Sequence, residues 1–278
     1  MDEVVIKKLV RDGYGRIAQG GDRCCLPMAS CCAGSGRAEE LAKRIGYTDQ
    51  ELRAVPEGAN LGLGCGNPVA LSSLKQGETV LDLGSGAGFD CFLAARQVGP
   101  HGRVIGVDMT PEMIEKAKQN AEAGGFGNVE FRLGEIEELP VPDDFVDAII
   151  SNCVINLAPD KGRVFQEAFR VLKPGGRIMV SDIVLKRDLP HRIKNSAEAY
   201  LGCVAGAISR EDYLEAMRRA GFRDISVLEE TRFPIDVLAQ DPSVKAMVQD
   251  SGVPEEEWEM LADSVVSIKV RADKPVGR

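Results

Sequence analysis

Short apolar runs alternate with amphipathic segments through the middle of the chain. The apolar runs predict strands, and the segments in which apolar residues recur every three or four positions predict helices. The predicted strands cover 79–83, 103–107, 128–133, 145–151 and 176–182. The predicted helices between them lie near 88–98, 110–124 and 160–173. This alternation is typical of a parallel sheet whose strands are joined by right-handed crossovers.

The segments on either side of this region have different patterns. A short amphipathic stretch covers residues 4–10, and two short helical patterns fill 38–54, with Thr48 as the expected N-cap of the second. Near the other end, an S-x-x-D capping pattern at Ser209 predicts a helix. Two strand-like segments follow it, and we expect them to extend the sheet as an antiparallel edge pair.

These elements predict an α/β fold with a doubly wound, mainly parallel seven-stranded sheet. The domain organisation that we expect has three parts. Residues 1–66 form an N-terminal arm with short helices, 67–183 form a nucleotide-binding core, and 184–278 form a C-terminal region with the edge strands. In such sheets, ligands bind at the carboxyl ends of the strands.

The first predicted strand runs directly into a glycine-rich turn, T-V-L-D-L-G-S-G-A-G-F-D. Gly84, Gly86 and Gly88 alternate with other residues in this turn, and a helical pattern follows at once. Glycine permits positive φ and close approach of a ligand, and a helix N-terminus offers free N–H groups. The turn therefore predicts a nucleotide-binding loop.

Two acids indicate which nucleotide binds there. Asp82 precedes the first glycine by two residues and would repel a pyrophosphate, but it suits a cation such as the ammonium or sulfonium of S-adenosylmethionine. Asp108 ends the second strand, where a carboxylate can accept hydrogen bonds from ribose hydroxyls. The other expected cofactor-binding residues are those at the same edge of the sheet: Gly84, Ser85, Gly86, Met109, Gly134, Glu135, Ile136 and Asn152.

Composition narrows the classes of partner and the compartment. A net charge of -9 and a pI near 5.0 argue against nucleic acid or an anionic membrane as partner. The 278 residues contain no apolar run long enough for a membrane helix and no signal-peptide pattern at Met1, so we expect a cytoplasmic protein. Because thiols stay reduced there, the eight cysteines are not expected to form a static disulfide framework.

The cysteines fall into groups with different expected roles. Two adjacent pairs lie in a stretch rich in glycine and serine, which predicts a mobile thiol arm; their spacing disfavours structural zinc. Cys65 stands between two glycines, and we expect it to be exposed and functional. Cys91 reads as an ordinary helix residue facing the sheet. The paired cysteines are Cys24, Cys25, Cys31 and Cys32.

The chain has few residues suited to proton abstraction. His101 lies in a polar turn and His191 in a charged connection, so neither is a promising general base. A soft element bound by thiolates would fit, because it presents a lone pair and no proton must leave. Cys65, Cys153 and Cys203 are the candidates, and a pyramidal As(III) held by two or three of their sulfurs could attack a sulfonium methyl group.

Four segments resemble arsenite S-adenosylmethionine methyltransferases: N-L-G-L-G-C-G-N-P-V-A, V-L-D-L-G-S-G-A-G-F-D, S-N-C-V-I-N-L and Y-L-G-C-V-A-G-A. The resemblance implies that Cys153 and Cys203 hold As(III), that Cys65 joins them, and that the products are mono- and dimethylated arsenicals. It also implies that an N-terminal cysteine exchanges disulfides, with thioredoxin or glutathione restoring the thiols. Spacing to Cys65 favours Cys32 for this role, and Cys25 is the alternative. Leu63 stands where eukaryotic members carry a tyrosine.

Two other functions stay open on the sequence. One is a small-molecule C- or O-methyltransferase whose cysteines are incidental. The other is a thiol-based metalloid sensor or sequestering protein that has lost catalysis. An intact set of Asp82, Gly84, Gly86 and Asp108 argues against such loss.

Overall fold

The computed structural model describes residues 2–19, 35–68, 73–189, 191–194, 196–232 and 263–277. Within these ranges, seven strands form one sheet in the order β3-β2-β1-β4-β5-β7-β6. The strands are β1 Thr79–Leu83, β2 Arg103–Asp108, β3 Val129–Leu133, β4 Val146–Asn152, β5 Leu172–Leu185, β6 Arg223–Arg232 and β7 Val265–Asp273. The first five pair in parallel, and β7 is antiparallel to both of its neighbours.

Helices connect the strands. They are α1 Glu3–Ala18, α2 Ser35–Arg44, α3 Asp49–Ala54, α4 Phe89–Val98, α5 Pro111–Gly124, α6 Lys161–Val171, α7 His191–Lys194, α8 Ala197–Leu201 and α9 Arg210–Ala220. A 3-10 turn, Ile155–Leu157, follows β4. Among the described residues, no helix is both long and apolar enough to span a bilayer.

Alternation along the central strands buries both faces of the sheet. Leu81 and Leu83 pack in one apolar cluster with Phe165 of α6 and Tyr213 of α9. Val80, which immediately precedes Leu81 and points to the opposite face, packs in another cluster that includes residues of α4 and α5. Because successive side chains of a strand point to opposite faces, these clusters are the two layers of a doubly wound fold.

The predicted α/β architecture is confirmed, including the antiparallel edge formed by β7 and β6. The central strands and helices begin and end within a few residues of the predicted positions, except that β5 is longer at both ends. Helix α1 also extends well beyond the short pattern from which it was predicted. Thr48 caps α3 in a complete capping box with Glu51, as its sequence position suggested.

Some predictions fall outside the described residues. The thiol arm, with Cys24, Cys25, Cys31 and Cys32, lies there.

Candidate functional site

A cavity of about 220 Å³ opens at the carboxyl ends of the parallel strands. Its walls come from the glycine turn after β1, the ends of β2 and β4, the loop before Cys65, and helix α1. Lys7, Val10, Tyr14 and Ile17 are the residues of α1 that face it. The cavity thus lies where the parallel sheet predicts a ligand, and an N-terminal helix covers part of it.

The glycine turn presents its backbone to this cavity. Gly84, Gly86 and Gly88 all have positive φ, at 66°, 51° and 93°. A Cβ at Gly84 would overlap the Val154 side chain, and the direction of a Cβ at Gly86 is open. The buried Ser85 hydroxyl has no hydrogen-bond partner among the described residues. An open turn with an unsatisfied hydroxyl fits a polar ligand seated against it.

Two buried acids lie beside the turn. Asp82 and Asp90 are 2% and 7% exposed and both line the cavity. Burial raises the pKa of Asp90 to about 6, whereas hydrogen bonds from Tyr47 and Asn152 lower it. Burial and the charge of Asp90 raise the pKa of Asp82 well above its usual range. Among the described residues neither acid forms an ion pair, so a cationic ligand group would relieve both.

Asp108 joins the end of β2 to the glycine turn. Its Oδ2 accepts a hydrogen bond from the Gly86 N–H at 2.9 Å, and its Oδ1 accepts one from the Thr110 N–H at 2.9 Å. Both oxygens keep acceptor capacity towards the cavity that the residue lines. The carboxylate is therefore held in place for a ligand with hydroxyl donors.

Most of the other expected cofactor-binding residues also line the cavity, namely Met109, Gly134, Ile136 and Asn152. Glu135 is not among the lining residues. Its carboxylate instead forms ion pairs with Lys7 at 2.8 Å and Arg11 at 3.5 Å, which fasten α1 to the loop after β3. Glu135 therefore holds helix α1, which covers part of the cavity, and does not form part of the cavity wall.

The structure brings Cys65, Cys153 and Cys203 together from three separate segments. Cys65 Sγ, Cys153 Sγ and a carboxylate oxygen of Asp182 lie within 4.8 Å of one another. The Cys203 thiol donates to the Cys153 carbonyl oxygen at 2.8 Å. All three cysteines pack in a buried apolar cluster with residues such as Leu157. Soft ligand atoms thus converge in apolar surroundings, where Cys153 and Cys203 line the cavity and Cys65 is not among the lining residues.

The expected exposure of Cys65 is wrong, and the flanking glycines have a different cause. Cys65 is 4% exposed, and its thiol donates to the Ser181 carbonyl oxygen at 3.3 Å. A Cβ at Gly64 would lie 2.8 Å from Asn152 Nδ2, and one at Gly66 would overlap Ser181 Oγ. The glycines are there because the loop lies against these side chains, not because the cysteine is free in solvent.

Cys153 and Cys203 both adopt the left-handed backbone conformation, with φ of 60° and 63°. A residue with a Cβ is uncommon there, and such strained positions cost on the order of 1–3 kcal/mol each. Strain of this kind gathers at functional sites, where the surrounding structure imposes it.

Burial also controls the protonation of the thiols. It raises the pKa of Cys65 and, more strongly, that of Cys153, where hydrogen bonding with the thiols of Cys203 and Cys65 adds to the effect. These two cysteines are therefore protonated thiols at neutral pH. A ligand that binds them as thiolates must displace their protons.

Sequence reasoning missed three polar residues near the cysteines. Tyr14 donates its hydroxyl to the Leu201 carbonyl oxygen at 3.2 Å, and its position between two glycines of α1 was the available signal. Asp182 is the last residue of the predicted strand 176–182 and lies on β5, where the Asn156 amide donates to its Oδ1 at 2.8 Å. Asp182 could have been noted as an acid near a strand's carboxyl end.

Cys91 has a contact that its expected role as a core residue does not include. It is fully buried in α4, facing the sheet as predicted, and its thiol donates to Asp82 Oδ2 at 3.2 Å. It thus holds one of the two cavity acids. His101 is exposed in its turn, in agreement with the sequence.

Comparison with known proteins gives consistent relatives. A family model described as a methyltransferase domain matches residues 74–221. The chain is 48% identical to the arsenite methyltransferase of Halobacterium salinarum over 240 residues, which are 83% of this chain and 61% of that protein. It is 38% identical to the arsenite methyltransferase of Aquipseudomonas alcaligenes over 228 residues, 80% of this chain and 63% of that protein.

A solved structure is similar as well. It is the crystal structure of an arsenic(III) S-adenosylmethionine methyltransferase from Chlamydomonas reinhardtii, which aligns with a TM-score of 0.60 and 33% identity, covering 86% of this chain and 73% of that one. The chain spans about three fifths of the length of the two curated relatives above.

Proposed function

Because this chain belongs to the arsenite methyltransferase family, we propose that it transfers methyl groups from S-adenosylmethionine to trivalent arsenic held by Cys65, Cys153 and Cys203. The observation that carries the proposal is the convergence of these three cysteines beside a cavity lined by the glycine turn. Neither feature alone is specific, since glycine turns serve many methyl acceptors and buried cysteines are common.

The fold is that of class I S-adenosylmethionine-dependent methyltransferases, and the residues present fit this cofactor. The unpaired acids Asp82 and Asp90 suit its ammonium, Asp108 suits the ribose hydroxyls, and the Ser85 hydroxyl is free for a further hydrogen bond. When bound, the cofactor supplies an electrophilic methyl group. The protein supplies position and the exclusion of water, which are the main sources of rate when a lone pair attacks such a group.

Arsenite suits the protonated thiols at the other end of the cavity. Each thiol that bonds to arsenic transfers its proton to a departing hydroxide, so three thiols and one arsenite give a trithiolate and three waters. No separate base has to take up protons, which agrees with the absence of a histidine among the described cavity residues. Arsenic then keeps its lone pair for methyl transfer, with mono- and dimethylated arsenicals as the products we propose.

Turnover beyond the first transfer requires a reductant, because methylation raises the oxidation state of arsenic by two. We assign the disulfide exchange to an N-terminal cysteine, Cys32 in preference to Cys25, with thioredoxin or glutathione as the final thiol source.

The test is arsenic speciation after incubation with arsenite, cofactor and thiol. We expect methylated arsenicals from the unmodified chain, loss of product in Cys153→Ser and Cys203→Ser, and full activity in Ser226→Ala on the exposed strand β6. Full arsenic methylation by both cysteine variants would overturn the role of the thiols. Activity on an organic acceptor after replacement of all three cysteines would instead favour a C- or O-methyltransferase.

A further inference from the structure

Asp182 is a fully buried carboxylate close to the cysteines that methyl transfer does not use. It is 0% exposed on β5, and the Asn156 amide and the Ile183 N–H donate to its Oδ1 at 2.8 and 2.9 Å. Tyr213 donates to its Oδ2 at 3.1 Å. Since a carboxylate oxygen accepts about two hydrogen bonds, Oδ1 is saturated and Oδ2 keeps one lone pair.

Asp182 has no direct ion pair within the ranges that the structure describes. The ammonium of Lys161 approaches, but it donates to the Ala158 and Asn156 carbonyl oxygens at 3.1 and 3.5 Å. A buried acid with a spare lone pair and no cation is an incomplete site.

Two thiols complete a ligand set around this acid. Cys65 Sγ, Cys153 Sγ and a carboxylate oxygen of Asp182 lie within 4.8 Å of one another. In a tetrahedral zinc site, with bonds of about 2.3 Å to sulfur and 2.0 Å to oxygen, neighbouring ligand atoms are roughly 3.5–3.8 Å apart. A contraction of at most about 1.0–1.3 Å between these atoms would therefore suffice.

We propose that Cys65, Cys153 and Asp182 form a binding site for Zn²⁺. Two sulfurs and one carboxylate oxygen favour zinc over Mg²⁺ or Ca²⁺, which take oxygen ligands only. Zinc would replace the two thiol protons, which pass to solvent, and a water or Cys203 would take the fourth position. The hydrogen bonds from Asn156 and Tyr213 orient the carboxylate, as partners of metal ligands do in known sites.

The consequence is competition between two kinds of ion for the same thiols. Zinc uses Cys65, Cys153 and the carboxylate, whereas the arsenite proposed above takes sulfur only. Zinc would therefore act as a competitive inhibitor of arsenite, and its binding does not depend on whether the chain methylates arsenic.

The experiment uses the full chain with the four paired N-terminal cysteines changed to serine, so that they cannot bind the metal. Zinc affinity is measured against a fluorescent chelator in a phosphine reductant, without cofactor or arsenite. We expect one Zn²⁺ per chain, at least about tenfold weaker binding in Asp182→Asn, and no change in the surface variant Asp188→Asn. Mg²⁺ is expected not to compete.

X-ray absorption at the zinc edge provides a second measurement if Asp182→Asn does not fold. It should show two or three sulfurs and at least one oxygen around the metal. A shell without sulfur, unchanged affinity in a folded Asp182→Asn variant, or less than stoichiometric binding would each overturn the site. Zinc binding in a chain that fails to methylate arsenite would leave this site standing and refute only the proposed function.

Discussion

The amide of Asn152 holds the Cys65 loop at two points, and its removal should release that cysteine. Asn152 Oδ1 accepts from the Cys65 N–H at 3.0 Å, and Asn152 Nδ2 donates to the Gly66 carbonyl oxygen at 2.8 Å. The same Nδ2 reaches Asp90 at 3.1 Å and the Tyr47 hydroxyl at 2.9 Å. One side chain thus joins the acid beside the glycine turn to the backbone around a proposed arsenic ligand.

The magnitude follows from the two hydrogen bonds to the loop. Each contributes about 0.5–1.5 kcal/mol, so Asn152→Ala should destabilise the closed loop by about 1–3 kcal/mol. At about 1.4 kcal/mol per factor of ten, the open loop becomes roughly 5- to 150-fold more populated. If alkylation of Cys65 requires local opening, its rate should rise by the same factor.

The assay is the rate of maleimide labelling at each cysteine, resolved by peptide mass spectrometry. Asn120→Ala is the matched control, because the Asn120 amide donates to the Ala87 carbonyl oxygen at 3.0 Å, away from the backbone of Cys65 and Gly66. We expect faster labelling of Cys65 in Asn152→Ala, unchanged Cys65 labelling in the control, and slow labelling of Cys91 in both. An equal rise in both variants, or no rise in Asn152→Ala, would refute the clamp.

Three further predictions test the packing and charges of the site. Gly66→Ala should lower the midpoint of thermal unfolding because the new Cβ would overlap the Ser181 hydroxyl. Gly127→Ala, which has open space around the new Cβ, should leave the midpoint unchanged, and equal midpoints in the two variants would contradict this. Because the pKa of Asp90 is raised to about 6, the folded state keeps this proton to a higher pH than the unfolded state. The free energy of unfolding should therefore fall by on the order of 3 kcal/mol as pH rises from about 4 to 6, and denaturant titrations of Asp90→Asn should lack this fall. At Cys203, with φ of 63°, the glycine variant should be about 1 kcal/mol more stable than the alanine variant, whereas at helical Cys91 alanine should be the more stable; the same order at both positions would exclude the strain.

Most of the fold was predictable from the sequence because the patterns that specify strands, helices and helix caps involve residues close together in the chain. Apolar runs and helical patterns placed the strands and helices of the core, and Thr48 and Ser209 marked helix starts through their own capping hydrogen bonds. The edge pair β6 and β7 followed from strand-like patterns after the last crossover. The long extensions of α1 and β5 were missed because tertiary packing, not local pattern, sets them.

The candidate site was predictable only in part. Residues after a strand's carboxyl end could be assigned to one edge of the sheet, which brought Asp108 and Cys153 to the cavity correctly. Glu135 is not among the lining residues because the rule locates a loop and not the direction of each side chain, and its carboxylate forms an ion pair with Lys7 of α1. Cys65 was expected to be exposed because neighbouring glycines suggest open space, but here they permit contact with Asn152 and Ser181.

The left-handed backbone conformation of Cys153 and Cys203 is a feature of the site that no sequence pattern predicted. Left-handed positions are normally filled by glycine or asparagine, and a cysteine there is held against its own preference. In this chain Asn152 immediately precedes Cys153, and Gly202 immediately precedes Cys203. In both turns the residue suited to the left-handed conformation is therefore the neighbour of the one that adopts it. Ser73, Asp144 and Asp224 also have positive φ, so backbone strain alone does not mark the site. Cys153 and Cys203 differ from them because the Cys203 thiol donates to the Cys153 carbonyl oxygen at 2.8 Å, and this contact between two strained cysteines favours a role for their sulfurs in binding.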